Sequence, residues 1–173
     1  YQDAKIKAEN SVIYNNAGFG FLLLYSGGFN FNHCNILGYN GNSKSQAVGL
    51  INYYDNSVSP IYGSITEGTL TNSIVYGNLD EEFAYDIVTN QNEVNINLDF
   101  QRNIIKKDST IAETFFSNGN IINTDPSFTD ISDLEFDITP NSPAKNNADP
   151  TFPTSNGLNI KGESISPTNI GAY

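Results

Sequence analysis

One phrase recurs along this chain. It stands as ENSVIYNN at Glu9–Asn16, HCNILGYN at His33–Asn40 and TNSIVYGN at Thr71–Asn78, and more weakly as QRNIIKKD at Gln101–Asp108. Aligned on Ser11, Asn35, Ser73 and Asn103, the copies are spaced 24, 38 and 30 residues apart. A unit recurring at such intervals is the mark of a repeat architecture, in which each unit buries its apolar face only against its neighbours.

Within each unit the period is two. VNINLDF sets Val94, Ile96, Leu98 and Phe100 on one face against Asn95, Asn97 and Asp99 on the other, which is strand alternation. The alignment also brings Asn10, Cys34, Asn72 and Arg102 to one position. Asn tolerates the left-handed region and bonds to nearby backbone, which suits a tight corner between strands. Asn10 and Asn72 are therefore expected to point inward as an amide ladder from one coil to the next. Cys34 interrupts that ladder as core filler, and at Arg102 either the alignment slips, or the side chain finds a carboxylate or lies at an open end.

Composition agrees with strands and turns. The chain has 26 Asn, and only 16% of its residues are charged. The aromatic and β-branched content argues against disorder. The spacings place an insertion of roughly a dozen residues within Asn40–Gly63, and a smaller one near Asn78–Asp86. The fold class is all-β, a solenoid of about four coils over residues 1–120. Residues 121–173 form a last strand and an irregular Pro/Asn/Gly tail, expected to cap the last coil and cover its unpaired strand edges. The N-terminal end enters directly in strand with no comparable cap, so further coils are expected upstream.

The tail carries a resemblance. DPSF (Asp125–Phe128), LEFDITPNSPAKNN (Leu134–Asn147), IKG (Ile160–Gly162) and SPTNIGAY (Ser166–Tyr173) resemble the C-terminal signature of bacterial right-handed parallel β-helix proteins. These are Bacteroidetes-type surface and secreted proteins of the pectate-lyase-like superfamily. The matching positions include Asp125, Pro126, Phe128, Ser142, Pro143, Ala144 and the closing Ile170 to Tyr173. The resemblance implies a right-handed parallel β-helix in an extracytoplasmic setting, at the cell surface or secreted. It does not imply a reaction, because such scaffolds host unrelated functions.

The net charge of −11 and the single Arg exclude a nucleic-acid partner, which needs clustered cations. No stretch approaches the roughly 20 apolar residues that span a bilayer. A lone Cys34 allows no internal disulfide. No Asn-x-Ser/Thr acceptor occurs despite the abundance of both residue types, which disfavours a eukaryotic secreted glycoprotein.

Several groups could carry chemistry. Arg102, Lys106 and Lys107 form the only basic cluster, where a polysaccharide lyase would need its base. Asp80, Glu81, Glu82 and Asp86 could supply a glycosidase pair or a Ca²⁺ site, although adjacent acids more often form a solvated corner. His33 is expected at the surface, facing away from Cys34. The ligand-binding candidates are Tyr53, Tyr54, Asp55 and Tyr62 in the long insertion, where rings beside short polar groups can stack on sugar faces. No cofactor is expected beyond a possible Ca²⁺. The leading reading is a non-catalytic segment that binds a glycan or partner, or displays it. Two alternatives stay open: the end of a carbohydrate-active enzyme, lyase or hydrolase, and a subunit or cargo docked on an outer-membrane complex.

Overall fold

A computed structural model describes residues 4–39, 44–91, 93–111, 114–166 and 168–173. The chain is all-β, with one short 3₁₀ turn at Thr114–Ser117 among the described residues. None of their helices is long and apolar enough to cross a membrane.

Three parallel sheets share the repeats. Sheet A holds Lys5–Glu9, Gly27–Asn32, Ile65–Thr71 and Ile96–Gln101. Sheet B holds Val12–Ile13, Asn35–Gly38, Ile74–Gly77, Ile104–Ile105 and Ile121–Ile122. Sheet C holds Phe21–Leu24, Val48–Ile51 and Phe83–Asp86. A single bridge from Phe83 to Lys107 carries sheet C one step further. The chain visits A, B and C in that order three times before the fourth strand of A. Parallel neighbours need a long crossover, and here the other two sheets supply it.

Alternation decides what faces the centre. In Gly27–Asn32, Phe29 and Phe31 are buried inside while Asn30 and Asn32 lie on the outer side. Leu70 and Phe100 follow from sheet A, Ile36, Val75 and Ile105 from sheet B, and Leu50 and Phe83 from sheet C. Phe100 meets Phe29, Phe83 and Phe116 at centroid distances of 6.2, 5.6 and 5.6 Å, within the range of favourable aromatic pairs.

The register corrects the alignment read from sequence. Val12 and Ile74 both pair with Asn35, so Cys34 rather than Asn35 stands with Ser11, Ser73 and Asn103. The slip arises because the second repeat turns its corner one residue early. Its left-handed residue is His33, at φ 49°, where the other repeats use Asn10, Asn72 and Arg102 at φ 48°, 49° and 58°. The left-handed side chains turn outward, so Asn10 and Asn72 do not form the inner ladder. The next residue does. Cys34 N donates to Ser73 Oγ at 3.0 Å, Ser73 N to Asn103 Oδ1 at 2.8 Å, and Asn103 N to Asn120 Oδ1 at 2.9 Å. Asn103 and Asn120 also donate to the carbonyls of Leu70 and Phe100, each at 2.7 Å. Arg102, on the outward series, is exposed and needs no buried partner.

The insertions are also placed. The first stands as an antiparallel hairpin, Tyr53–Asp55 with Pro60–Tyr62; its expected start at 40–43 lies outside the described residues. The second is not at Asn78–Asp86. Phe83–Asp86 is a regular strand of sheet C, with Phe83 in the core, and the extra residues follow it, at 87–95.

The tail is not a lid on the last repeat. After the hairpin of Phe128–Asp130 and Glu135–Ile138 it runs back along the outer flank of sheet B. Phe128, Phe136, Ala144 and Ile170 pack there on Leu37, Ile74 and Ile104. It reaches the first repeat, where Asn10 Nδ2 donates to Leu158 O and Ser155 N to Glu9 Oε2. Sheet B is thus buried on both faces, which gives unbroken apolar runs such as Ile74–Val75 in place of alternation.

The inner ladder predicts the cost of breaking it. Asn103→Ala leaves Ser73 N buried without its partner and strips a second bond from Leu70 O, and should lower unfolding stability by about 2 kcal/mol. Urea unfolding at neutral pH reads this as a lower midpoint at unchanged slope.

Candidate functional site

The hairpin is built by its turn. Asp55 Oδ1 accepts the Ser57 N–H at 3.0 Å, and Asn56 Oδ1 accepts those of Val58 and Ser59 at 3.1 and 3.0 Å. Pro60 then starts the returning strand. At the base, buried Asn52 donates to Gly63 O and Val88 O and accepts from Val88 N. That amide ties the hairpin to the chain leaving sheet C.

Strand alternation divides the four residues expected to bind ligand. Tyr53 pairs across the hairpin with Tyr62, and their ring centroids lie 6.0 Å apart. Tyr54 falls on the opposite face, edge-on to Tyr25 at 5.2 Å. Asp55 is occupied in the turn. The structure brings Asp86 to the Tyr53–Tyr62 face instead: Tyr53 Oη donates to Asp86 Oδ2 at 2.5 Å. That bond pushes the Tyr53 phenol pKa up, so it remains a protonated donor at neutral pH. The face offers two rings, an oriented phenol and an exposed carboxylate. Such a set can stack on a sugar ring and accept its hydroxyls.

The rest of the acidic run behaves differently. Asp80 and Glu81 are exposed, but Glu82 is fully buried and not a solvated corner. Its Oε2 accepts Ala47 N and its Oε1 accepts Leu79 N, each at 2.9 Å. Burial pushes its pKa up while these bonds pull the other way. Gly38 and Gly77, paired across sheet B, make room for it; a Cβ at either would stand 2.2 Å from a Glu82 oxygen. The two glycines come into line only in the corrected register, which is the signal that points to this carboxylate. Among the described residues, no group of three or more His, Cys, Asp or Glu is placed to hold a metal.

The basic residues do not converge. Arg102 sits on the outer corner, and Lys106 Nζ bonds Gly77 O at 3.0 Å. Lys107 is buried beneath the Phe116 ring, where it donates to Asp108 O and Ile111 O at 3.0 and 2.6 Å. Cys34 faces the core, where burial raises its thiol pKa to about 11.

His33, expected at the surface, is 1% exposed. The tail covers it. Nδ1 lies 3.2 Å from Gly171 O, which can only accept, so Nδ1 carries the proton. Nε2 then accepts from Asn72 Nδ2 at 3.1 Å. Asn72 cannot flip without loss, because it also donates to Asp149 O at 3.0 Å and accepts from Asp149 N at 2.7 Å. The neutral imidazole is thus part of a clasp that holds the tail. Burial lowers its pKa below 6.5.

No protein-family profile, curated protein or solved structure matches this chain.

The clasp predicts an acid dependence. With the folded pKa below 6.5, the unfolded chain takes up the proton first. The stabilisation is therefore complete above pH 6.5 and declines as the pH falls toward the folded value. His33 is the only histidine, so one imidazole resonance in an NMR titration reads its pKa directly. His33→Gln should remove the histidine's share of that slope, the part that sets in just below pH 6.5, and leave the carboxylates' share at lower pH.

Proposed function

We propose that this chain is a stretch of right-handed parallel β-helix from a Bacteroidetes-type surface or secreted protein. Its role is to bind a glycan without catalysis. The resemblance of the tail supports the setting, and the three parallel sheets visited in rotation support the winding. The observation that carries the ligand is the Tyr53–Tyr62 pair beside Asp86. A ring face, a phenol oxygen held in place by its bond to Asp86 and a free carboxylate oxygen, both able to accept, meet the two needs of a sugar, an apolar face and hydroxyl partners. Glu82, the buried acid, is spent on backbone N–H groups, so it does not form the exposed carboxylate pair that a glycosidase needs.

A second reading, docking on a surface protein, has one observation in its favour. Leu22 and Leu24 stand 42% and 52% exposed on the outer face of sheet C, the kind of patch that marks interaction.

A glycan-array screen followed by calorimetry tests the first reading. Tyr53→Ala or Tyr62→Ala should weaken the best glycan by at least about tenfold, equivalent to about 1.4 kcal/mol. Tyr54→Ala, on the opposite face, should leave it unchanged. Loss with Tyr54→Ala alone, or no retained glycan, rejects the hairpin as the site.

A further inference from the structure

The outer side of sheet A carries a second feature. A groove of about 300 Å³ runs over it, closed on one side by Thr151, Phe152 and Pro153 of the tail. This is the lower end of the range for small-ligand sites. The strand register lays one polar row along its floor: Lys7, Asn30, Thr69 and Asp99 are successive partners across all four strands. With strands about 4.8 Å apart, the row extends about 14 Å across the sheet.

Two residues of the row have no structural task. Asn is disfavoured within strands, yet GGFNFN places Asn30 and Asn32 on the outer face. Asn32 is accounted for: its amide donates to Phe152 O and Pro153 O, both at 3.2 Å, and fixes the wall. Asn30 makes no side-chain hydrogen bond among the described residues. Thr69 Oγ1 is shielded from solvent and has no partner either. An orphaned hydroxyl costs stability unless a ligand completes it.

The charges select the ligand. Lys7 pairs with Glu9 at 3.3 Å. Asp99 accepts from Gln101 Nε2 at 2.6 Å and Asn118 Nδ2 at 3.3 Å. The one cation of the row is already paired, and the chain carries −11 overall, so a polyanion gains nothing here and is repelled. Amide, hydroxyl and carboxylate groups in a line, with Phe152 at the wall, suit a chain of neutral hydroxyl-rich rings.

We propose that the groove between sheet A and the tail binds a neutral oligosaccharide lying across the strands, held by Asn30, Thr69 and Asp99. The site is separate from the tyrosine hairpin and shares with that reading only the class of ligand.

The test is a titration of the ¹⁵N-labelled chain with cellohexaose, xylohexaose and mannohexaose, with hexagalacturonate as the anionic control and a neutral Gly/Ser peptide as the non-sugar control. At least one neutral sugar should shift the amides of Asn30, Thr69 and Asp99. Asn30→Ala and Thr69→Val should each weaken that binding about tenfold, without lowering the unfolding midpoint (Thr69→Val, which removes the orphaned hydroxyl, should raise it), and Tyr53→Ala should not weaken it. Several results overturn the proposal: no shifts with any neutral sugar, shifts confined to Tyr53 and Tyr62, tighter binding of hexagalacturonate or the peptide, or binding indifferent to both groove variants. Shifts confined to the hairpin would reject the groove and leave the hairpin reading standing. Groove binding with a silent hairpin would do the reverse.

Discussion

The corner between sheets A and B constrains everything else in this structure. Each repeat must pass from one sheet to the next in about two residues, and it does so through one left-handed residue at Asn10, His33, Asn72 or Arg102. That geometry throws two neighbouring side chains to opposite sides. The inner one must satisfy backbone N–H groups that the corner strips from the sheet ladder, because buried donors are rarely left unpaired. Ser73, Asn103 and Asn120 do this, each accepting from the repeat before it. The outer one is free of that duty and becomes available to another segment. The tail uses it: Asn10, His33 and Asn72 all bond to residues beyond 148. Inner ladder and outer clasp are two consequences of one turn.

This explains how far the sequence could be read. Strand alternation, the repeat and the parallel architecture follow from apolar residues at period two, and such a pattern survives a small error of register. The one-residue slip at His33–Cys34 did not show, because Asn35, Ser11 and Ser73 are equally good corner residues by propensity. The route of the tail was hidden for another reason. Leu37, Ile74 and Ile104 sit in runs that read as buried whichever segment buries them, so nothing local said that the cover came from residues 128–170. As the polar neighbour of a core cysteine, His33 reads as exposed from the sequence. It does point away from the core, and the tail then buries it.

The candidate site was legible in part for the same reason. A turn of Asp, Asn, Ser and Pro between tyrosines announces a hairpin, and alternation then requires Tyr53 and Tyr54 to part. The missing partner, Asp86, lies 33 residues from Tyr53 in the chain. It could be found only once Phe83–Asp86 was known to be a strand of sheet C. The polar row on sheet A is likewise a property of register, since Lys7, Asn30, Thr69 and Asp99 share no local motif.

A stack in which each repeat touches only its neighbours has short-range cooperativity and can fray from either end. The tail changes that. By bonding to Glu9, Asn32, Asn72 and sheet B at once, it ties the first repeat to residues 146 positions away. Such contacts close a long loop, which disfavours their forming early. The stack must exist before the tail has a flank to lie on. The groove over sheet A has the tail as its wall, so it belongs to the last-formed part of the structure and depends on the clasp at His33 and Asn72. Anything that loosens the clasp, acid included, should open the groove before it unfolds the sheets, because the inner ladder and the aromatic core do not involve the tail. Binding in the groove must by linkage strengthen the clasp in return.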